Sequence, residues 1–372
     1  MRLCAGLGCL AGAAVMMVAA SAASAQGPRR VTEYLLPGAG VATGVGPAPT
    51  GGVVVAGRGP AGPRVMHVDG RGRTVEDWTL PGSDAWPRAV ASPPGAVAVL
   101  AGPADPAGHE RGLAVWRLLA GADGRLKQDW LRRFRRTALD QGNGAVALED
   151  GGLLVAGKTG NDGAWVLRLD VDGEPVWRRL VSPVVEDGVF EARAAAQGAG
   201  GELLVAAYGA PAADEPGGIW VLRFSQDGTD RAQTVIDDLD DEHPEAMAAF
   251  ADGGLAVAGW TLAVTDGTRA PLAAAQAWLV RLDGQGRIAW DHRWPGGNGR
   301  IEAAAALPDG GVVVAGQVAG AALLARLDEA GNTVWEWRHQ GGALHALTLT
   351  PGGEVVAAGD RHGRMWVVRS DY

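Results

Sequence analysis

Asp150-Gly151-Gly152-Leu153-Leu154-Val155-Ala156-Gly157, then Trp165-Val166-Leu167-Arg168-Leu169-Asp170, then Asp172-Gly173 and Trp177, form the stretch that decides the fold. Asp-Gly-Gly is a hairpin turn, because glycine accepts the positive φ that tight turns need. Leu-Leu-Val-Ala-Gly reads as a strand apolar on both faces, and Trp-Val-Leu-Arg-Leu as a strand with one strongly apolar face. Asp-x-Asp-Gly returns the chain, and Trp177 is expected to cover the gap to a neighbouring unit.

The block recurs as Asp252-Gly253-Gly254 through Trp278-Leu279-Val280-Arg281-Leu282-Asp283 to Trp290, and as Asp309-Gly310-Gly311 through Arg326-Leu327-Asp328 to Trp335. Weaker copies begin at Gly51, Pro94, Gly200 and Gly352. The spacings are 43, 57, 49, 53, 57 and 42 residues, the length of one four-stranded propeller blade. No copy can bury its faces alone, so the copies must stack, and closing the stack into a ring protects its edges. Arg30-Val31-Thr32-Glu33-Tyr34-Leu35-Leu36-Pro37-Gly38 matches Thr74-Val75-Glu76-Asp77-Trp78-Thr79-Leu80-Pro81-Gly82. The chain therefore opens with an outer strand and ends, at Trp366-Val367-Val368-Arg369, with a blade lacking one. The expectation is an all-β, seven-bladed β-propeller with four-stranded antiparallel blades, closed by the N-terminal strand joining the last blade.

Leu169-Asp170-Val171-Asp172-Gly173-Glu174-Pro175-Val176-Trp177 and Leu327-Asp328-Glu329-Ala330-Gly331-Asn332-Thr333-Val334-Trp335 resemble the tryptophan-docked bacterial propeller repeats, the group that includes the pyrroloquinoline-quinone-like repeats. The resemblance implies the fold; such repeats occur in enzymes, assembly factors and surface proteins alike. Quinone-dependent dehydrogenases of this kind are larger and eight-bladed, with a calcium site and often a vicinal disulfide, so no cofactor is expected here.

Arg2, the apolar run from Leu3 to Ala20 and the small-x-small pattern Ala23-Ser24-Ala25 predict a signal peptide, residues 1–25, ahead of one propeller domain, 26–372. An exported protein, periplasmic or secreted, is expected, with no membrane span in the mature chain. Both cysteines, Cys4 and Cys9, fall in the leader, which excludes disulfides, thiolate metal sites and cysteine nucleophiles from 26–372. Apolar residues at 47 % and 14 Trp exclude disorder. A net charge of −9 argues against nucleic acid as a partner.

Three polar sets stand out. Arg117, Arg168, Arg223, Arg281, Arg326 and Arg369, with His67 in the remaining copy, recur on the third strand. A charge repeated with the fold is expected to pair with a carboxylate of its own or the next repeat. Asn143, Glu191, Glu245, Glu302 and His345 begin inner strands and are expected near one mouth of the central channel. They form a candidate binding set, or simply cap strands and pair with the repeated arginines. Asp237, Asp238, Asp240 and Asp241, and Arg132, Arg133, Arg135 and Arg136, form an acidic and a basic cluster in segments leading from an outer strand to the next inner one. These share a face with the long segments 103–112, 209–218 and 260–277, whereas the opposite face carries only short turns.

Asp170-x-Asp172-Gly173 lacks the later ligands of a calcium loop and is expected to be a turn. No Gly-x-Ser-x-Gly elbow, His-Glu-x-x-His pair or phosphate-cradling glycine loop occurs, and no catalytic or metal-ligating residue is assigned. The expected function is non-catalytic binding or scaffolding, engaging a protein partner or extended ligand through the long-loop face. The alternative is an enzyme, or the propeller subunit of an oxidoreductase, acting at the channel mouth.

Overall fold

A computed structural model describes residues 30–371, apart from 81–84, 104–111, 135–139, 160–162, 182–187, 213–214, 237–239 and 266–267. Seven four-stranded antiparallel sheets follow one another along the chain. Each runs from an innermost to an outermost strand, as in blade 3, Gln141–Ala147, Leu153–Lys158, Ala164–Leu169 and Pro175–Val181. The innermost strands contact one another in sequence order, and that of blade 7, Gly342–Leu349, meets that of blade 1, Val41–Pro47. The ring is therefore closed.

The two middle strands of each blade are buried on both faces, which explains their unbroken apolar runs. Seven apolar clusters form, one between each adjacent pair of blades. The last blade takes its outer strand, Val31–Ala39, from the other end of the chain. Val31 pairs with Ser370, Tyr34 with Val367 and Leu35 with Trp366. Leu36 is buried in the cluster between blades 7 and 1, and Glu33 pairs with Arg361 at 3.1 Å. The latch read from the matching segments is present, with Tyr34 and Trp78 in corresponding registers.

Outer tryptophans fasten the blades. Trp130, Trp177 and Trp290 each donate the indole N–H to a carbonyl in the outer turn of the next blade: Val171, Gln226 and Glu329, at 3.1, 2.9 and 2.8 Å. The ring lies flat on the turn glycine, so tightly that a Cβ on Gly228 would come within 2.7 Å of Trp177. Gly228 also has φ +79°, a region open to glycine. Asp170 shapes such a turn by accepting the amides of Asp172 and Glu174 at 3.0 and 2.8 Å.

The repeated arginines serve the same face. Arg168, Arg223, Arg281, Arg326 and Arg369 each pair with an acid at or beside their own blade's inner turn: Asp150, Glu202, Asp252, Asp309 and Glu354. Arg168 also donates to the Gln226 carbonyl that receives Trp177. Arg117 instead reaches Val171 of the next blade, and His67 the Gly51 carbonyl.

Replacing Trp177 by Phe removes only the N–H and should cost about 1 kcal/mol in urea unfolding. Trp177→Ala also opens the interface and should cost about 3–5 kcal/mol. Equal small losses from both variants would contradict the docking role.

Candidate functional site

Each innermost strand carries one β-bulge, and in each the unpaired residue is polar. The register skips Thr43, Arg88, Asn143, Arg193, Glu245, Glu302 and His345, one per blade. The innermost strand is an edge whose free backbone faces the channel, which is why Pro87 and Pro244 are accepted there. All seven unpaired side chains line a single axial cavity of about 430 Å³.

The residue after each bulge is Gly or Ala: Gly44, Ala89, Gly144, Ala194, Ala246, Ala303 and Ala346. The strands converge so closely that a Cβ on Gly144 would sit 2.7 Å from the Arg193 carbonyl. Larger side chains there would force the blades apart. The next tier is apolar, with Val45, Val90, Ala145, Ala195, Met247, Ala304 and Leu347. The cavity is thus a polar ring above an apolar tier. The ring lies towards the strand starts, the end at which outer strands hand over to the next blade.

The ring is cross-bonded. Thr43 Oγ1 donates to the Pro87 carbonyl at 2.6 Å, and Asn143 Nδ2 to the Ala192 carbonyl at 2.8 Å. Arg193 pairs with Glu191 at 2.9 Å and lies 3.7 Å from Glu245, which also accepts the Trp260 indole N–H at 3.1 Å. His345 Nδ1 bonds Glu302 at 2.7 Å and its Nε2 bonds Asp360 at 3.0 Å. Burial alone would lower the His345 pKa, but the two carboxylates outweigh it and push it up to about 9. Both ring nitrogens then donate, so at neutral pH this imidazolium holds two carboxylates in place and is not a free base.

Of the five residues expected at the mouth, Asn143, Glu245, Glu302 and His345 are ring members. Glu191 lies one pleat nearer the mouth, and Arg193 holds the place in its blade. Burial would raise the Glu191 pKa, but Arg193 and Lys158, the latter at 2.5 Å, hold it below the usual carboxylate range. Thr43, Arg88 and Arg193 were not anticipated. Nor, among the described residues, do ring members pair with the repeated arginines; all but Arg88 bond to one another or to channel neighbours.

The charged clusters differ from expectation. Arg132 and Arg133 lie inside the outer strand Leu126–Phe134, not in a loop. Arg132 stacks on Trp130 and pairs with Glu174 of the next blade at 3.1 Å. Asp240 pairs with Arg293 at 2.7 Å. Asp241 is buried and accepts from Tyr208 Oη, the Gly217 amide and His243, all near 3 Å. Through Tyr208 and Gly217, Asp241 ties blade 5 to blade 4. Asp237, Asp238, Arg135 and Arg136 lie outside the described residues.

Of the long segments, 104–111 lie outside the described residues; the described parts of 209–218 and 260–277 share the face at the strand starts. In blade 5 the long one holds a two-residue hairpin, Val264–Thr265 with Thr268–Arg269, and a 3₁₀ turn, Leu272–Ala274. Leu272 is 65 % exposed there.

No protein-family model and no curated protein matches the chain. Among solved structures, the propeller of Dos1 is similar with a TM-score of 0.53 at 10 % identity, over 92 % of this chain and 94 % of that one. YCF48 from Cyanidioschyzon merolae gives 0.56 at 12 % identity, over 92 % and 98 %. YCF48 bound to a D1 peptide gives 0.56 at 13 %, over 92 % and 95 %. At these identities the likeness is one of fold, and the fold is the seven-bladed β-propeller.

A folded-state pKa raised above the ordinary value stabilises fully below about 6.5, and that stability is lost as pH rises through about 9. Wild-type melting temperature should therefore fall relative to His345→Gln between pH 6.5 and 9.5, by an amount on the order of 1–3 kcal/mol in stability. Parallel pH profiles for the two proteins would contradict the bonding of His345.

Proposed function

We propose that this propeller is an exported binding protein that receives a segment of a partner protein at the mouth of its channel, on the long-loop face. The observation that carries the reading is the division of labour between the two faces. At one face the turns are short and their polar groups are engaged in bonds within blades and between them. At the other, the channel opens through a ring of mixed charge among the longer connections. Variable connections on a rigid scaffold are where binding groups can be placed without disturbing the core. YCF48, similar in fold, has been solved with a D1 peptide bound, which supports the same use of the scaffold here. The leader-like segment 1–25 supports export to the periplasm or medium. The Leu-Asp-x-x-Gly-x-x-x-Trp repeats, with their docked indoles, support a place among the tryptophan-docked, pyrroloquinoline-quinone-like repeats.

The reading is tested by a photo-cross-linking side chain placed singly at Leu272 or Arg300 on the long-loop face, and at Asp172 or Glu329 on the short-turn face. In cells fractionated after irradiation, exported protein starting at Gln26 should give one discrete adduct from the first pair and none from the second. Adducts from the short-turn face alone, or equally from both faces, would overturn the reading, and cytoplasmic protein retaining 1–25 would overturn export.

A further inference from the structure

Among the described charged residues that line the cavity, all but one are paired. His345 is held between Glu302 and Asp360, Glu191 lies between Lys158 and Arg193, and Glu245 takes Arg193 and an indole N–H. Arg88 makes no hydrogen bond and no ion pair among the described residues. Its side chain is exposed, on the lining of the channel cavity. Partial desolvation by the channel wall, and the like charge of Arg193, hold its guanidinium below the usual arginine range, and Glu245 offsets them only in part. Arg88 therefore presents an unpaired guanidinium to whatever enters the cavity.

The surroundings specify what would supply one. A guanidinium presents a planar fork of donors that matches a carboxylate in two parallel bonds. Next to Arg88 towards the mouth stands Trp86, whose ring carries Arg58 at 4.9 Å. One pleat deeper lie Val90, Val45 and Met247. A bare inorganic anion would leave that apolar tier wet, whereas a ligand with an apolar group beside its carboxylate satisfies both levels. A cavity of about 430 Å³ holds the end of a chain and not a folded surface.

We propose that Arg88 is the anchor of a carboxylate-binding subsite, and that its ligand is the C-terminal end of a peptide finishing in an apolar residue. The terminal carboxylate pairs with the Arg88 fork, the last side chain enters the apolar tier, and the preceding residues leave through the mouth. This deepens the reading of the long-loop face as a partner-binding surface and rests on it.

The test uses the protein and N-terminally fluoresceinated hexapeptides, randomised at five positions and ending in Leu, read by anisotropy. One pool has a free carboxyl terminus, a second is amidated, and a third is amidated with Glu in the last place. The free-acid pool should bind wild type, and Arg88→Gln should weaken it on the order of 30-fold, with Arg88→Lys intermediate. Amidated peptide should bind wild type as poorly as free acid binds Arg88→Gln. Preference for the Glu-ended pool keeps the carboxylate subsite and assigns it to a side chain. Equal binding of the free-acid and amidated pools, no effect of Arg88→Gln in a variant that melts like the parent, or no binding of any pool overturns the proposal. So does displacement by inorganic phosphate with no preference among the pools. Loss of peptide binding with face-specific cross-links intact removes the subsite alone; loss of the cross-links removes the partner-binding reading beneath it.

Discussion

Everything in this molecule depends on how closely seven innermost strands can approach around one axis. A Cβ on Gly144 would lie 2.7 Å from the neighbouring Arg193 carbonyl, so each strand meets the next with a glycine or alanine. The bulge before that small residue relieves the crowding by ejecting one residue from the ladder. The ejected residue cannot enter the packed interface between blades, so it turns to the lumen. The same steric constraint that closes the ring therefore builds the polar site, one side chain per blade.

Two polar systems result, and they obey different physics. At the short-turn face, carboxylates and guanidinia repeat with the fold, each acid matched to an arginine of its own blade, as Asp252 is to Arg281. That system has the period of the repeat and serves the repeat. The lumen ring has no such symmetry: Thr, Arg, Asn, Arg, Glu, Glu and His follow in turn. A position that geometry repeats but chemistry varies is one released from structural duty. Its charges are mostly settled locally, through His345 between its two carboxylates and Arg193 between Glu191 and Glu245, which leaves the cationic side of the ring dominated by Arg88.

The fold was legible because its signals are local and repeated. Turn glycines, two-sided apolar strands and outer tryptophans fixed the blades, and the likeness of Val31–Gly38 to Val75–Gly82 disclosed the latch. The site was legible in part. Asn143, Glu245, Glu302 and His345 each stand at the same offset before a turn glycine of positive φ, namely Gly151, Gly253, Gly310 and Gly353. Thr43 before Gly51 and Arg193 before Gly201 obey the same offset and precede a glycine or alanine, so the signal that finds them was present. In blade 4 the acidic type of Glu191 drew attention two residues too early. In blade 2 the turn at Gly95 is one residue shorter, which concealed Arg88. The acidic and basic clusters misled for a different reason: local charge does not reveal a tertiary partner. Asp241 is buried against Tyr208 of the neighbouring blade and His243 of its own strand, and Arg132 is spent on Trp130 and Glu174.

The bulges turn one polar residue per blade into the lumen. In a background with Cys4 and Cys9 replaced by Ser, single cysteines can be read by maleimide reactivity in the folded protein. Cysteine at Thr43, Glu302 or His345 should label readily. Cysteine one residue earlier, at Ala42, Ile301 or Leu344, each 0 % exposed, should stay protected until unfolding. Equal labelling of both sets, or protection of the first with labelling of the second, would contradict the ring.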